Sequence, residues 1–198
     1  MSSHSDESGK KLGMWLFLYT EIFLFGGLFV LYAVYFARYT SEFVAGGKEL
    51  DQLFGVVNTV ILLISSFAVA ASITAVQRNQ QKRTLAGLGV ALICGLVFLI
   101  NKYFEWSHKV ANDIFPGSEK LAEGPEGQNI FFGLYYMITG LHSIHIIIGM
   151  VLLLVSLVCV KIEKITPTRF ALLENSGLYW HLVDLIWIFV FPLFYLVV

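Results

Sequence analysis

The sequence predicts an all-α protein, an integral membrane bundle of five transmembrane helices. Three observations lead there. Hydrophobic residues make up 57% of the chain and charged residues only 14%, against about 25% charged in a water-soluble globular domain. The mean hydropathy is +0.74. The apolar residues also gather into five runs, each near or beyond the roughly 20 residues a helix needs to cross about 30 Å of hydrocarbon. The runs are continuously apolar rather than alternating, which selects helices over barrel strands.

Residues 1–11, MSSHSDESGKK, form a polar N-terminus, and residues 12–198 form a single five-helix membrane domain. The first apolar run continues past Phe36, too long for the core of a cleaved signal peptide, so it is expected to remain as a helix. The expected spans run from about Leu12 to Ala37, Phe54 to Val76, Leu85 to Phe104, Ile130 to Val160 and Leu178 to Val198. The fourth is long enough to tilt or to project beyond the bilayer. Between the third and fourth, residues 107–128 carry the Gly and Pro of FPGSEKLAEGPEGQ and read as a loop. Pro167 marks the break before the fifth.

Charge sets the expected orientation. Lys10, Lys11, Arg78, Lys82, Arg83, Lys161, Lys164 and Arg169 fall on one side, eight cations, and Arg38, Lys48, Lys102, Lys109 and Lys120 on the other, five. The positive-inside rule then puts the N-terminus in the cytoplasm and the C-terminus outside. A net charge of −1 offers no basic field for nucleic acid. Cys94 and Cys159 lie inside apolar runs and make neither a disulfide framework nor a metal-ligand spacing.

Ionisable residues within the spans are the candidate functional residues, because each is costly in hydrocarbon and needs a partner. Glu21 lies about 13 Å into the first span. It reads either as a proton-active or headgroup-binding carboxylate, or as a neutral glutamate bonded to another helix. His142 and His145, three apart, share a helix face. They fit a metal or haem, or hydrogen bonds to a neighbouring helix packed closely at Gly140 and Gly149. His181 and Asp184 fit a proton relay, with the carboxylate orienting the imidazole, or a lock onto a neighbour. Lys102 either snorkels to the interface or makes an interfacial ion pair with Glu105, beside Trp106 of an aromatic belt. By depth, Glu21, His142, His145, His181 and Asp184 occupy the inner and middle layers, and some of them are expected to share one buried hydrogen-bond network. No Walker motif, CxxCH haem site or inverted repeat is present in the sequence.

Four stretches carry a resemblance. YWHLVDLIWIFVFPLFYL resembles the C-terminal helix signature of haem–copper oxidase subunit III, an aromatic–Trp–His–x–x–Asp–x–x–Trp pattern. GLHSIHIIIGM resembles the family's Gly-x-His-x-x-His-x-x-x-Gly helix. TEIFLFGGLFVLYAVYF resembles its glutamate-bearing helix, and KYFEWSH its Glu–aromatic helix end. They occur in the family's order and cover nearly the whole chain. The five helices match the bacterial type, which lacks the first two of the seven in the mitochondrial type, and with them the walls of its lipid-filled cleft. At Lys102 some members carry a carboxylate.

The resemblance implies a non-redox subunit with no cofactor and no metal of its own. Subunit I holds the haems and copper, reduces oxygen to water and pumps protons. Subunit II receives electrons in the cytochrome c oxidases, and a small subunit IV is a further expected partner. Subunit III packs against subunit I, holds phospholipid, and supports proton uptake and durable turnover in the bacterial inner membrane. Glu21 falls on the family's buried carboxylate, and His142, His145, His181 and Asp184 would knit helices together. Quinol oxidases and a protein accompanying some nitric oxide reductases carry similar subunits. A stand-alone b-type cytochrome, with haem between His142 or His145 and His181, and a small transporter are the readings from other classes.

Overall fold

The computed structural model describes residues 2–196, and these form seven helices. They are α1 (Ser2–Arg38), α2 (Thr40–Lys48), α3 (Gln52–Gln77), α4 (Gln81–Ala111), α5 (Glu119–Ala122), α6 (Glu126–Lys161) and α7 (Ala171–Tyr195). Five of them, α1 from Leu12 onward, α3, α4, α6 and α7, are long and apolar enough to cross a membrane. The chain is a multi-pass membrane protein.

Most spans outrun their expected boundaries. The sequence placed those boundaries where hydropathy falls, but a helix bonds its own backbone and continues through polar residues beyond the hydrocarbon. So α4 reaches Ala111 rather than Phe104, and α7 begins at Ala171 rather than Leu178. The polar N-terminus is the first part of α1. The expected loop at 107–128 is shortened from both ends and holds α5. Val197 and Val198, expected in the last span, lie outside the described residues.

Local chemistry fixes the ends. The Asp51 carboxylate accepts the Leu53 amide at 2.9 Å and starts α3. Three spans then stop by one device. Asn79, Asp113 and Glu163 adopt left-handed backbone at φ 56°, 56° and 57°. The next amide reaches back into the last turn: Gln80 to Ala75 at 2.9 Å, Ile114 to Lys109 at 3.0 Å and Lys164 to Cys159 at 2.9 Å. This is the Schellman arrangement, which occupies carbonyls the helix leaves free.

The spans pack as a ring, α3 on α4, α4 on α6, α6 on α7 and α7 on α3, with α1 resting on α6 and α7. Helix α7 turns its large rings inward, with Tyr179, Trp180, Trp187, Phe194 and Tyr195 all buried. Small residues opposite admit these rings. A Cβ on Gly149 of α6 would stand 2.7 Å from the Trp180 ring, and one on Gly177 would stand 2.7 Å from Ile73. Gly140 packs near Trp106. Helix α1 is attached differently. Its buried Leu18, Phe25 and Tyr32 recur every seventh residue and make one narrow stripe. Outward faces carry exposed apolar side chains such as Phe23 and Phe67, as a lipid-facing surface requires.

Candidate functional site

Glu21 on α1 and His145 on α6 meet directly, Oε2 to Nε2 at 2.7 Å. The other ring nitrogen, Nδ1, lies 2.7 Å from the Leu141 carbonyl, one turn back on α6. A carbonyl can only accept, so Nδ1 carries a hydrogen. One proton therefore remains to be shared between Nε2 and Glu21. It sits on the carboxyl beside a neutral imidazole, or on the imidazole beside a carboxylate. Both arrangements have the same total charge, so the proton can change owner without net charge entering the membrane. Aromatic rings surround the contact. Phe25 meets the imidazole edge-on with centroids 5.2 Å apart, and Tyr179 lies nearly parallel to it at 6.5 Å.

The remaining expected members of a shared network stand apart from this pair. His142 is fully buried between Phe98 and Trp187, at centroid distances of 5.6 and 5.1 Å. Neither of its nitrogens has a hydrogen-bond partner among the described residues. His181 and Asp184 do not bond to each other. The His181 Nδ1 lies 2.6 Å from Ser66 Oγ on α3. Asp184 is buried, and neither of its oxygens has a partner among the described residues. With α7 starting at Ala171, His181 lies ten residues, about 15 Å, from the start of the helix. Equal depth brought the five side chains into the same layers, but their helix faces point them to different neighbours. No group of three or more His, Cys, Asp or Glu side chains gathers as a metal site among the described residues.

Lys102 and Glu105 form the densest polar cluster, and their expected ion pair lies inside the bundle. Because α4 continues to Ala111, Lys102 lies about 13 Å inside its end, and both side chains are buried, at 3% and 4% exposure. The ammonium donates to Glu105 Oε2 at 2.9 Å, to Tyr135 Oη at 3.1 Å and to Tyr195 Oη at 2.7 Å. Both phenols donate in turn to Glu105 Oε1, at 2.6 and 2.7 Å. All three ammonium hydrogens and both carboxylate oxygens are engaged, as a buried pair requires. The Trp187 ring lies 5.3 Å from the ammonium and adds a cation–π contact.

Sequence reading missed Tyr135 and Tyr195. The available signal was a phenol on an inward helix face, since a buried Tyr hydroxyl needs a partner, together with a lysine whose neighbour at i+3 uses only one of its three donors. Tyr32 was also missed: its hydroxyl bonds the Leu193 carbonyl, one of the free carbonyls in the last turn of α7. Two further ties reach α7 from α3. The Trp180 indole donates to Ser65 Oγ at 3.0 Å, and the Trp187 indole to Thr59 Oγ1 at 3.0 Å.

Comparison with known proteins adds the family. The family model described as cytochrome c oxidase subunit III matches residues 2–197. The chain is 30% identical over 202 residues to quinol oxidase subunit 3 of Bacillus spizizenii, covering 98% of this chain and 90% of that one. It is 29% identical over 198 residues to cytochrome c oxidase subunit 3 of Synechocystis sp., covering 98% and 78%. It is 32% identical over 196 residues to the heme-copper oxidase subunit I+III of Aeropyrum pernix, covering 94% of this chain and 22% of that longer one.

Proposed function

We propose, since the chain belongs to the family of cytochrome c oxidase subunit III, that it serves as the non-redox third subunit of a proton-pumping haem–copper terminal oxidase. The observation that carries this reading is the family match over residues 2–197. Haem and copper then belong to the partner subunits, and this chain holds no metal. Subunit I is the main partner, a role supported by the Aeropyrum pernix relative whose name joins subunits I and III. Subunit II and a small subunit IV complete the assembly. The bacterial inner membrane is the location, with the N-terminus cytoplasmic, as the eight-to-five distribution of cations favours.

Glu21 and His145 supply the chain's contribution to proton uptake. Their 2.7 Å contact joins α1 to α6, and a proton passed across it is the proposed contribution. The Lys102–Glu105–Tyr135–Tyr195 cluster is structural, because none of its donors or acceptors is left to exchange. A bound phospholipid is part of the proposal. The b-type cytochrome is disfavoured at His145, which engages both nitrogens, and at His142, whose ring is closed in between Phe98 and Trp187. The quinol oxidase subunit remains a second reading, favoured by the Bacillus spizizenii relative.

A gentle-detergent pull-down of the tagged chain tests the assignment. Haem–copper subunits I and II should co-purify, and the copper content and haem spectrum of the complex separate a cytochrome c oxidase from a quinol oxidase. A lone chain with its own Soret band would overturn it. In the complex, Glu21→Ala should slow proton uptake or shorten the catalytic lifetime with the spectra unchanged. Wild-type rates and lifetime in that variant would remove Glu21 from proton uptake.

A further inference from the structure

Between α6 and α7 lies a half-open cavity of about 520 Å³, the largest of the cavities described. Its walls come from the end of α6, the connecting loop and the first turns of α7. The loop is held in shape. Ile165 is buried and its amide bonds the Cys159 carbonyl, while Thr166 and Arg169 close a tight turn by exchanging backbone bonds at 3.3 and 2.9 Å.

The cavity is amphipathic. Cys159, Phe170 and Leu172 line it with apolar surface, and Lys164, Thr168 and Arg169 contribute the polar lining. Lys164 and Arg169 make no ion pair among the described residues. One acid, Glu174, also lines it. The position matters as much as the composition. The apolar run of α6 ends at Val160, one residue before the helix closes at Lys161, so the cavity stands beside the end of that run, on the side that gathers eight cations.

We infer that this cavity binds the phosphate headgroup of a membrane phospholipid, with Lys164, Thr168 and Arg169 on the phosphate and the upper acyl chain along Phe170 and Leu172. Two cations and a hydroxyl match a phosphodiester. The apolar wall matches a ligand that brings hydrocarbon with its charge, which inorganic phosphate does not. Basic side chains at a membrane surface attract anionic lipid by the same physics. Glu174 opposes a purely anionic headgroup, so its removal should tighten binding rather than weaken it. The inference deepens the phospholipid part of the proposed function and rests on it; it does not depend on which oxidase the chain joins.

Native mass spectrometry of the purified complex, titrated with phosphatidylglycerol, tests it. The Lys164→Gln/Arg169→Gln variant should lose one tightly held lipid, with affinity at that site falling about thirtyfold. Lys164→Arg should retain it, and Glu174→Gln should hold it more tightly. Both cations are exposed, so thermal midpoints should stay at the wild-type value and report intact folding. Inorganic phosphate at millimolar concentration should not displace the lipid; displacement would assign the site to free phosphate. If the double variant keeps the same lipids at the same affinity, this site is wrong while lipid binding elsewhere stands. If the wild-type complex retains no phospholipid, both fall. Loss of a partner subunit from the double variant, with lipid unchanged, would assign the cavity to a protein contact instead.

Discussion

Lys102 has every ammonium hydrogen engaged inside the bundle, and that sets what its loss would do. In Lys102→Met, Glu105 keeps its two phenol donors but loses its counter-charge, and stripping one partner from a buried pair costs about 3–5 kcal/mol. The thermal midpoint in detergent should fall sharply. Lys102→Met/Glu105→Leu should recover much of the loss, because a matched apolar pair carries no stranded charge; a double variant as unstable as the single would show that the ion pair itself is not what holds these helices. Ser66 makes a second case. Reading His181 and Asp184 as a pair predicts that Asp184 holds the imidazole, but the Oγ of Ser66 does so. Ser66→Ala should therefore destabilise by about 1 kcal/mol, the net value of a half-buried hydrogen bond, and Asp184→Ala should leave the His181 contact intact. Comparing the two variants by thermal unfolding decides between them. At Glu21 the diagnostic change is Glu21→Gln. The amide can still donate to Nε2 and hold α1 to α6, but it cannot pass a proton. Recovery of the complex should match wild type while proton uptake slows as in Glu21→Ala, measured with a pH dye in reconstituted vesicles. Types of residue were legible in the sequence at this scale. Partners were not, since a partner depends on which way each helix face turns, and Ser66, Tyr135 and Tyr195 look ordinary until three helices are seen together.

Helices were the most legible elements, because twenty apolar residues in a row leave the backbone nowhere else to satisfy its bonds. Their ends were less so. Hydropathy came within one residue of the ends of α3 and α6 but fell seven residues short of the end of α4, and the stops at Asn79, Asp113 and Glu163 depend on left-handed conformation rather than polarity. Glutamate suffers there from its Cβ, where glycine would not. Glu163→Gly should raise stability by about 1 kcal/mol, visible as a higher midpoint; an unchanged or lower midpoint would mean the turn carries no strain. The contact between α6 and α7 is less forgiving. Gly149→Ala sets a methyl 2.7 Å from the Trp180 ring, and overpacking of this kind costs about 1–3 kcal/mol. The family's Gly-x-His-x-x-His-x-x-x-Gly pattern thus has a packing reason at Gly149, separate from its histidines.

For the whole molecule, composition was enough to read a five-span membrane protein, while the orientation is a proposal from the cation count. Burial sharpens the second. Lys102 and Lys109 are buried in α4 rather than free in loops, so the cation-poor side keeps Arg38, Lys48 and Lys120 against eight opposite. A cysteine placed at exposed Thr168 should react with an impermeant maleimide only in inside-out vesicles. Labelling in right-side-out vesicles would reverse the topology.

One consequence of the Lys102–Glu105 pair concerns how the chain enters the bilayer. Opposite charges three residues apart lie on one face of the same helix, so α4 neutralises itself before any other segment arrives. A lone lysine would have to await a partner from a later span, exposed to lipid meanwhile. Here the translocation machinery can release α4 with its mid-helix charges already paired, and Tyr135 of α6 and then Tyr195 of α7 close over the pair in the order in which synthesis delivers them.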